Sequence, residues 1–149
     1  MIKLRFSIEI KAPKEKVWDT MLSDETYRQW TEAFSPGSYF EGSWDEGADI
    51  KFLASKKDGD PDGMMSKIKE NKPYEFISIE HIGIIKDGKE DIASEEVKKW
   101  SGALENYTLK EKDGMTEVLV EMDSVDEYKE MFEKMWPKAL QKLKELAEK

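Results

Sequence analysis

The sequence contains no cysteine, which excludes a disulfide framework, a thiolate nucleophile and a cysteine-ligated metal site. No apolar run approaches the roughly 18 residues that a membrane-spanning helix needs. The first residues, MIKLRFSIEIKAP, alternate charged with apolar side chains and lack the continuous apolar core of a signal peptide. Together these absences predict a soluble cytoplasmic protein with no membrane span.

Basic residues are fewer than acidic ones: 24 Lys and Arg stand against 33 Asp and Glu, which gives a net charge of −9. Binding to nucleic acid is driven mainly by Lys and Arg that displace counterions from phosphates, so the charge argues against a nucleic-acid partner. Most charges are interspersed, as in KEKDGMTEVLVEMDSVDEYKEMFEK, which is typical of a solvated surface. The alternative is an electrostatic preference for a basic partner.

The length of 149 residues fits one domain, 1–149, and a domain of that size buries roughly 68–70% of the surface of its unfolded chain. Five tryptophans, six phenylalanines and five tyrosines supply bulky material for the core. Each aromatic side chain can bury about 150–250 Å².

Apolar and polar residues alternate over 3–10, which predicts a half-buried strand. Pro13 suits the first position of a helix over 13–22, because its missing N–H is not needed there. Ser23 favours the start of a second short helix that carries Tyr27 and Trp30. Further strands are predicted over about 39–44, 48–54, 64–70, 74–83, 102–111 and 115–122.

Turn signals separate these strands. Asp113-Gly114 is a favoured two-residue hairpin sequence, and Asn71-Lys72-Pro73 marks another tight turn. The polar stretch 84–99 interrupts the run of strands, and it predicts a loop or a short helix.

The clearest pattern lies at the end of the chain. Ser124 and Glu127 match a capping box, and from there apolar residues recur at helical spacing as far as Leu146. About 24 residues at 1.5 Å each predict a helix of roughly 36 Å. Pro137 lies inside it and removes one backbone hydrogen bond, so a kink is expected near the middle.

The predicted order is a strand, two short helices, a run of antiparallel strands and one long amphipathic helix. A single sheet buries one face and needs a cover, and the long helix is the only element large enough to provide it. We therefore predict an α+β fold in which a curved antiparallel sheet wraps around the C-terminal helix. Because the two curvatures do not match everywhere, a cavity between sheet and helix is expected.

Five segments spread over nearly the whole chain indicate a known family: IEIKAPKEKVWDTMLSDETYRQWTEAF, GSWDEGADIKFL, EFISIEHIG, WSGALENYTL and MFEKMWPKALQKLKEL. Together they resemble the activator of heat-shock-protein ATPase homologue family, in the START-like (SRPBCC) superfamily. The resemblance implies the helix-grip fold, with two short helices after the first strand. For function it implies a range, since the superfamily covers lipid and hormone binders, aromatic-ring-processing enzymes and co-chaperones, and a fold alone does not choose among them.

Residues 58–63, DGDPDG, match positions 1, 3, 5 and 6 of a calcium-binding loop. Position 12 should be a bidentate glutamate, but it is Lys69, and Glu70 comes one place too late. The flanking residues are typical of strands rather than helices. A polar hairpin loop is therefore predicted here, and no metal site.

Catalytic signatures are missing. The sequence has no G-x-S-x-G, P-loop, G-x-G-x-x-G or H-E-x-x-H motif, and no local context singles out a nucleophile. With 33 acidic residues, pairing carboxylates by inspection decides nothing. We therefore predict no catalytic residue and no cofactor.

The aromatic residues are more informative, because the walls of small-molecule pockets are typically apolar and aromatic with a few polar groups. Core packing is the alternative for any single one of them. Three methionines would add an adaptable surface. The candidate cavity residues are Trp30, Phe34, Phe52, Met64, His81, Trp100, Glu105, Tyr107, Met131, Phe132, Met135 and Trp136.

His81 is the only histidine. Alternation over 76–83 places it on the isoleucine face of a strand, together with Gly83, and alternation over 103–109 groups Glu105 with Tyr107. A buried polar group without a partner costs about 1–3 kcal/mol, so a His81–Glu105 or His81–Tyr107 hydrogen bond is expected. A core histidine, a ligand contact, and a catalytic base or metal ligand all stay open at this point.

Three functions follow. The first is binding of a small hydrophobic or amphipathic molecule between the sheet and the C-terminal helix, oriented by His81, Tyr107 and Glu105. The second is a chaperone-associated interaction module, which the resemblance implies. The third is an enzyme that uses an acid or base in the pocket, for which the sequence offers neither a nucleophile nor a metal set.

Overall fold

The computed structural model describes residues 1–149 as one antiparallel sheet with four α-helices. Two 3₁₀ turns, Thr31–Ala33 and Asp126–Tyr128, follow the second helix and the last strand. In chain order the elements are β1 (Ile2–Ile10), α1 (Lys14–Leu22), α2 (Asp24–Trp30), β2 (Ser38–Gly42), β3 (Asp49–Ala54), β4 (Asp62–Lys72), β5 (Phe76–Lys86), β6 (Lys89–Asp91), α3 (Glu95–Lys98), β7 (Ala103–Lys112), β8 (Met115–Ser124) and α4 (Lys129–Ala147).

The strands are ordered β1-β8-β7-β5-β4-β3-β2, and the short β6 pairs with the end of β5. All pairings are antiparallel, and β1 lies at one edge beside β8. The long α4 lies in the concave face of this curved sheet and also contacts α1 and α2. The predicted helix-grip fold is therefore confirmed, including the two short helices after the first strand.

The two halves of α4 meet the sheet differently. In the C-terminal half, Ala139, Leu143 and Ala147 are buried, and α4 packs against β1 and α1. In the first turns, Met131 is exposed and Phe132 is only half-buried. The core is thus tight under one half of the helix and opens into space under the other.

The polar stretch 84–99 is more ordered than the sequence predicted. β5 continues as far as Lys86 and returns as β6 through Asp87 and Gly88, whose φ angles are 51° and 75°. Two positive φ values are what a tight two-residue hairpin requires, and the same pair of residue types forms the predicted turn at 113–114. The sequence predicted a loop or a short helix here. The structure has the short helix α3, and it has the strand β6 where a loop was the alternative.

The long helix begins later than the capping box predicted. Ser124 still pairs with Ile2 as the last residue of β8, and its hydroxyl donates to the Val125 carbonyl instead of capping a helix. The 3₁₀ turn then intervenes, so α4 starts at Lys129 and has 19 residues. Because Ser124 pairs within the sheet, it is not available to cap the helix. Pro137 does lie inside α4, and the kink there stays a prediction.

None of the four helices is both long enough and apolar enough to cross a lipid bilayer.

Thr116 ties the start of β8 to the connection between β1 and α1. It is fully buried, and its hydroxyl donates to the Ala12 carbonyl at 2.7 Å. Thr116→Val keeps the shape but leaves this carbonyl without a partner, so we expect the free energy of unfolding to fall by about 1–3 kcal/mol, measured by urea denaturation. Thr108→Val on the outer face of β7 is the control, with an expected change within about 0.5 kcal/mol. Equal losses would contradict the role of this bond.

Candidate functional site

A cavity of about 470 Å³ lies between the sheet and the first half of α4. Small-molecule sites typically measure about 300–1,000 Å³, so this volume is in their range. Hydrophobic residues make up 20 of the 29 residues of the wall. The exposed side chains of Tyr128 and Met131 mark the mouth of the cavity, at the start of α4.

One part of the wall is a group of three rings that we call the Trp136 cluster: Trp30, Phe34 and Trp136. The ring centroid of Trp136 lies 4.8 Å from that of Phe34 and 6.2 Å from that of Trp30. Both indole N–H groups are satisfied, because Trp30 donates to the Met21 carbonyl and Trp136 donates to the Met122 sulfur, each at 3.1 Å. These bonds hold the two indoles in place at the inner end of the cavity.

A second group of three rings, the Tyr27 cluster, comprises Tyr27, Trp44 and Phe52. Their ring centroids lie between 5.6 and 6.2 Å apart. Tyr27 also contacts Trp30, three residues later on α2, with 5.7 Å between the ring centroids. The two clusters therefore form one continuous aromatic surface.

Trp44 differs from the other two indoles in its hydrogen bonding. Its Nε1 is buried and has no hydrogen-bond partner, although Trp44 lies on the cavity wall. A buried donor without a partner costs about 1–3 kcal/mol. This atom is not accessible from the cavity, so a bound molecule meets the ring of Trp44 and not its N–H group.

A chain of hydrogen bonds crosses the sheet side of the cavity. The Ser66 hydroxyl lies 2.7 Å from Nδ1 of His81, and Nε2 of His81 lies 3.0 Å from Oε1 of Glu105. The Tyr107 hydroxyl donates to Oε2 of Glu105. A neutral imidazole with its proton on Nε2 donates to Glu105 and accepts from Ser66, which satisfies every group in the chain. The structure shows His81–Glu105, one of the two predicted bonds, and connects Tyr107 to Glu105 instead of to His81.

Strand pairing brings these four side chains together. His81 on β5 lies opposite Ser66 on β4, and Glu105 on β7 lies opposite Ile79, two residues before His81. Paired and diagonal neighbours on one face of an antiparallel sheet are within reach of long side chains. The chain of bonds is therefore a direct result of the sheet register.

Ser66, His81 and Glu105 are the residue types of a hydrolase triad. The serine is only 2% exposed, however, and it is not part of the cavity wall. A nucleophilic hydroxyl must reach the carbonyl of its substrate. A molecule in the cavity does not meet Ser66, so this serine acts as a partner that orients His81.

β5 contains a bulge next to His81. Two consecutive residues of β4 pair with His81 and Gly83, so Ile82 is an extra residue on β5. A bulge of this kind changes which residues face inward beyond it. The prediction that Gly83 shares the face of His81 is therefore wrong: Gly83 pairs with Met65 on the outer face, and Ile84 lines the cavity.

The structure brings most of the candidate residues to one wall. Met135 is the exception, because it is half-buried and not part of the wall. It lies one helical turn beyond Met131, which is already exposed at the mouth, so it falls outside the enclosed space. Contact with a ligand stays a prediction for the others, which are Trp30, Phe34, Phe52, Met64, His81, Trp100, Glu105, Tyr107, Met131, Phe132 and Trp136.

Sequence reasoning missed three residues that shape the site. Tyr27 was recognisable, since it lies one helical turn before Trp30 on the same face of α2. Trp44 was assigned to the end of the predicted strand 39–44, but β2 ends at Gly42 and Trp44 lies in the irregular connection 43–48. Ser66 was recognisable only from the register of β4 against β5, which the bulge alters.

Three acidic residues lie on the wall, Asp62, Glu105 and Asp123, and no Lys or Arg does. The negative charge of Glu105 acts on its surroundings. Burial first, and this charge second, raise the pKa of Tyr27 well above its ordinary value of 10.0. The polar side of the cavity is thus electronegative.

No group of three or more His, Asp or Glu is placed to hold a metal ion. Residues 58–61 of the DGDPDG stretch lie in the connection between β3 and β4, as predicted, and Asp62 and Gly63 begin β4. Asp62 accepts from the backbone N–H of Asp87 and pairs with Lys56. These contacts brace the hairpin.

A family model described as "Activator of Hsp90 ATPase homolog 1-like protein" matches residues 11–148. No curated protein matches the chain. Solved structures are similar over nearly the full length of both chains. A protein from Nitrosomonas europaea has 15% identity and a TM-score of 0.73, and the match covers 97% of this chain and 93% of that protein. A protein from Mesorhizobium loti has 15% identity and a TM-score of 0.71, with 97% and 96% covered. The Aha1 dimer from Colwellia psychrerythraea has 21% identity and a TM-score of 0.67, with 99% and 97% covered. At these identities the structures show the fold alone.

Tyr27 makes the free energy of unfolding depend on pH in the alkaline range. Its raised pKa means that the folded chain keeps the phenol proton while the unfolded chain releases it near the ordinary value of 10.0. The free energy of unfolding is unaffected below that pH and falls as the pH rises above it. Between neutral pH and about pH 11, we expect the free energy of unfolding to fall less in Tyr27→Phe than in the unmodified chain. Urea denaturation at each pH measures this difference.

Tyr74→Phe controls for the loss of one phenol, because Tyr74 is exposed at 39%. Parallel loss of stability in the Tyr27→Phe variant and the unmodified chain would contradict the effect assigned to Tyr27.

Proposed function

The chain belongs to the family of activator of Hsp90 ATPase homolog 1-like proteins, and from that premise we propose that it binds a small hydrophobic or amphipathic molecule in the cavity between sheet and α4. The observation that carries the proposal is the combination of an aromatic cavity wall with a few polar groups on its sheet side. Such a combination is typical of small-molecule sites. A core that existed only for stability would fill this volume, since protein interiors are close-packed.

Burial of apolar surface supplies the affinity. Transfer of apolar surface from water is worth about 25 cal/mol per Å². Part of this gain is offset by the loss of translational and rotational freedom on binding. The continuous surface of the Tyr27 and Trp136 clusters offers flat faces, so a ligand with a ring system gains the most contact.

The carboxylate of Glu105 on the wall orients the ligand. Glu105 is held by His81 and Tyr107, and its side chain stays 19% exposed, so its oxygens accept from a ligand donor. An amphipathic molecule with a donor on an apolar body matches this carboxylate.

A second candidate function is association with a chaperone. The description of the matching family favours it, as does the fold shared with the Aha1 dimer from Colwellia psychrerythraea. ATP turnover by a purified chaperone of the Hsp90 class, with and without saturating amounts of this chain, tests the association. Unchanged turnover and no complex on gel filtration would remove this candidate.

The cavity is tested by filling it. Ala103 lies on the wall opposite His81 and is 5% exposed. We expect the unmodified chain to bind the neutral probe naphthylethanol, and Ala103→Trp to weaken binding at least about tenfold, because the new indole occupies the space of the ligand. Calorimetric titration measures both affinities.

Thr108→Trp adds the same indole on the outer face of the same strand, and its affinity is expected to match that of the unmodified chain. If neither the probe nor other neutral aromatic molecules bind the unmodified chain, the proposed function fails. If Ala103→Trp binds as well as Thr108→Trp, the ligand lies elsewhere.

A further inference from the structure

We infer that the cavity selects ligands by charge: it takes apolar molecules that carry a protonated amine or another organic cation, and it rejects carboxylates such as fatty acids. The inference rests on the proposed function and names the class of ligand for the same site. It follows from the charges on the wall, the hydrogen bonds of Glu105 and the rings around it.

The first observation is the sign of the charges. No Lys or Arg lies on the wall, and both ring nitrogens of His81 are already partnered by Ser66 and Glu105, so an anionic ligand finds no free cation to pair with. Asp123 pairs with Lys3 and accepts from the backbone N–H of Leu104. Asp62 likewise pairs with Lys56. Both charges are therefore compensated, and Glu105 is the acid on the wall without a Lys or Arg partner.

The second observation is the fixed position of the Glu105 carboxylate. Each of its oxygens has one donor, His81 for Oε1 and Tyr107 for Oε2, and His81 is itself held by Ser66. A carboxylate oxygen can accept more than one hydrogen bond, so lone pairs are left for a ligand. Because the side chain is already ordered, a cation gains its attraction without the entropy cost of fixing a mobile acid.

The third observation is the set of rings next to this acid. Phe52 lies 6.1 Å from the His81 ring, centroid to centroid, and Phe52 belongs to the Tyr27 cluster. Burial first, and the charge of Glu105 second, raise the pKa of Tyr27 in this cluster. The faces of aromatic rings attract cations and repel anions. A ligand cation between Glu105 and these rings is stabilised by both.

Rejection of anions follows from the same geometry. A carboxylate in the cavity would leave water, lie near a second negative charge and meet ring faces of unfavourable sign. Two like charges in a space of about 470 Å³ cannot separate far enough to avoid repulsion. The neutral form of a ligand is tolerated, and the anion is not.

Three ligands with the same ring system and different charge test the inference: naphthylethylamine, naphthylethanol and naphthylacetate. We measure their affinities by calorimetric titration at neutral pH and low salt, with the full chain. The expected order is amine, alcohol, acid, with the amine at least about tenfold tighter than the acid. In Glu105→Gln the amine and the acid should come within about threefold of each other.

Two matched variants complete the experiment. Glu105→Asp keeps the charge and should keep the preference for the amine. Glu121→Gln removes one acid from the neighbouring strand, where Glu121 pairs with Arg5 outside the cavity, and should also keep it. Circular dichroism confirms that each variant is folded. The ratio measured on the unmodified chain tests the inference even where Glu105→Gln does not fold.

Each outcome has one meaning. Equal affinities for amine and acid, or tighter binding of the acid, would overturn the charge selection. If the alcohol still binds in that case, the proposed function is unaffected. A preference that persists in folded Glu105→Gln overturns the role of Glu105. If none of the three ligands binds, the proposed function and this inference fail together.

Discussion

The rest of the structure depends on how α4 fits into the concave face of the sheet. The C-terminal half of the helix carries small and branched residues such as Ala139 and Leu143, and it packs closely against β1 and α1. The first half carries Met131 and Phe132, which stay at least partly accessible. One end of the helix is thus fixed by the core, and the other spans a gap. The cavity, its mouth and its aromatic wall are consequences of this uneven contact.

Polar groups inside such a gap have to be satisfied by the sheet itself. Ser66, His81, Glu105 and Tyr107 come from three neighbouring strands and bond to one another in sequence. The arrangement places the only histidine of the chain in a role of orientation. It also leaves one ordered carboxylate as the polar feature that a molecule in the cavity meets. The chemistry of the wall therefore comes from the register of three strands more than from any single motif.

The sequence predicted the fold well because its signals are local and strong. Alternation over β1 and the helical spacing of α4 identified the elements, and the need to cover one sheet face joined them. Errors arose where tertiary pairing overrides a local pattern. Ser124 was assigned to a helix cap but belongs to β8, and a bulge turns Gly83 outward. Trp44 was assigned to a strand that in fact ends at Gly42, and Ser66 becomes a partner of His81 only once β4 and β5 are aligned.

The aromatic wall also has a calorimetric consequence. Removal of apolar surface from water on binding lowers the heat capacity, and 20 of the 29 wall residues are hydrophobic. The enthalpy of binding is therefore expected to become more favourable as the temperature rises. A molecule that binds the folded chain alone also raises its melting temperature. Occupancy of the cavity is thus coupled to the heat capacity and the thermal stability of the fold.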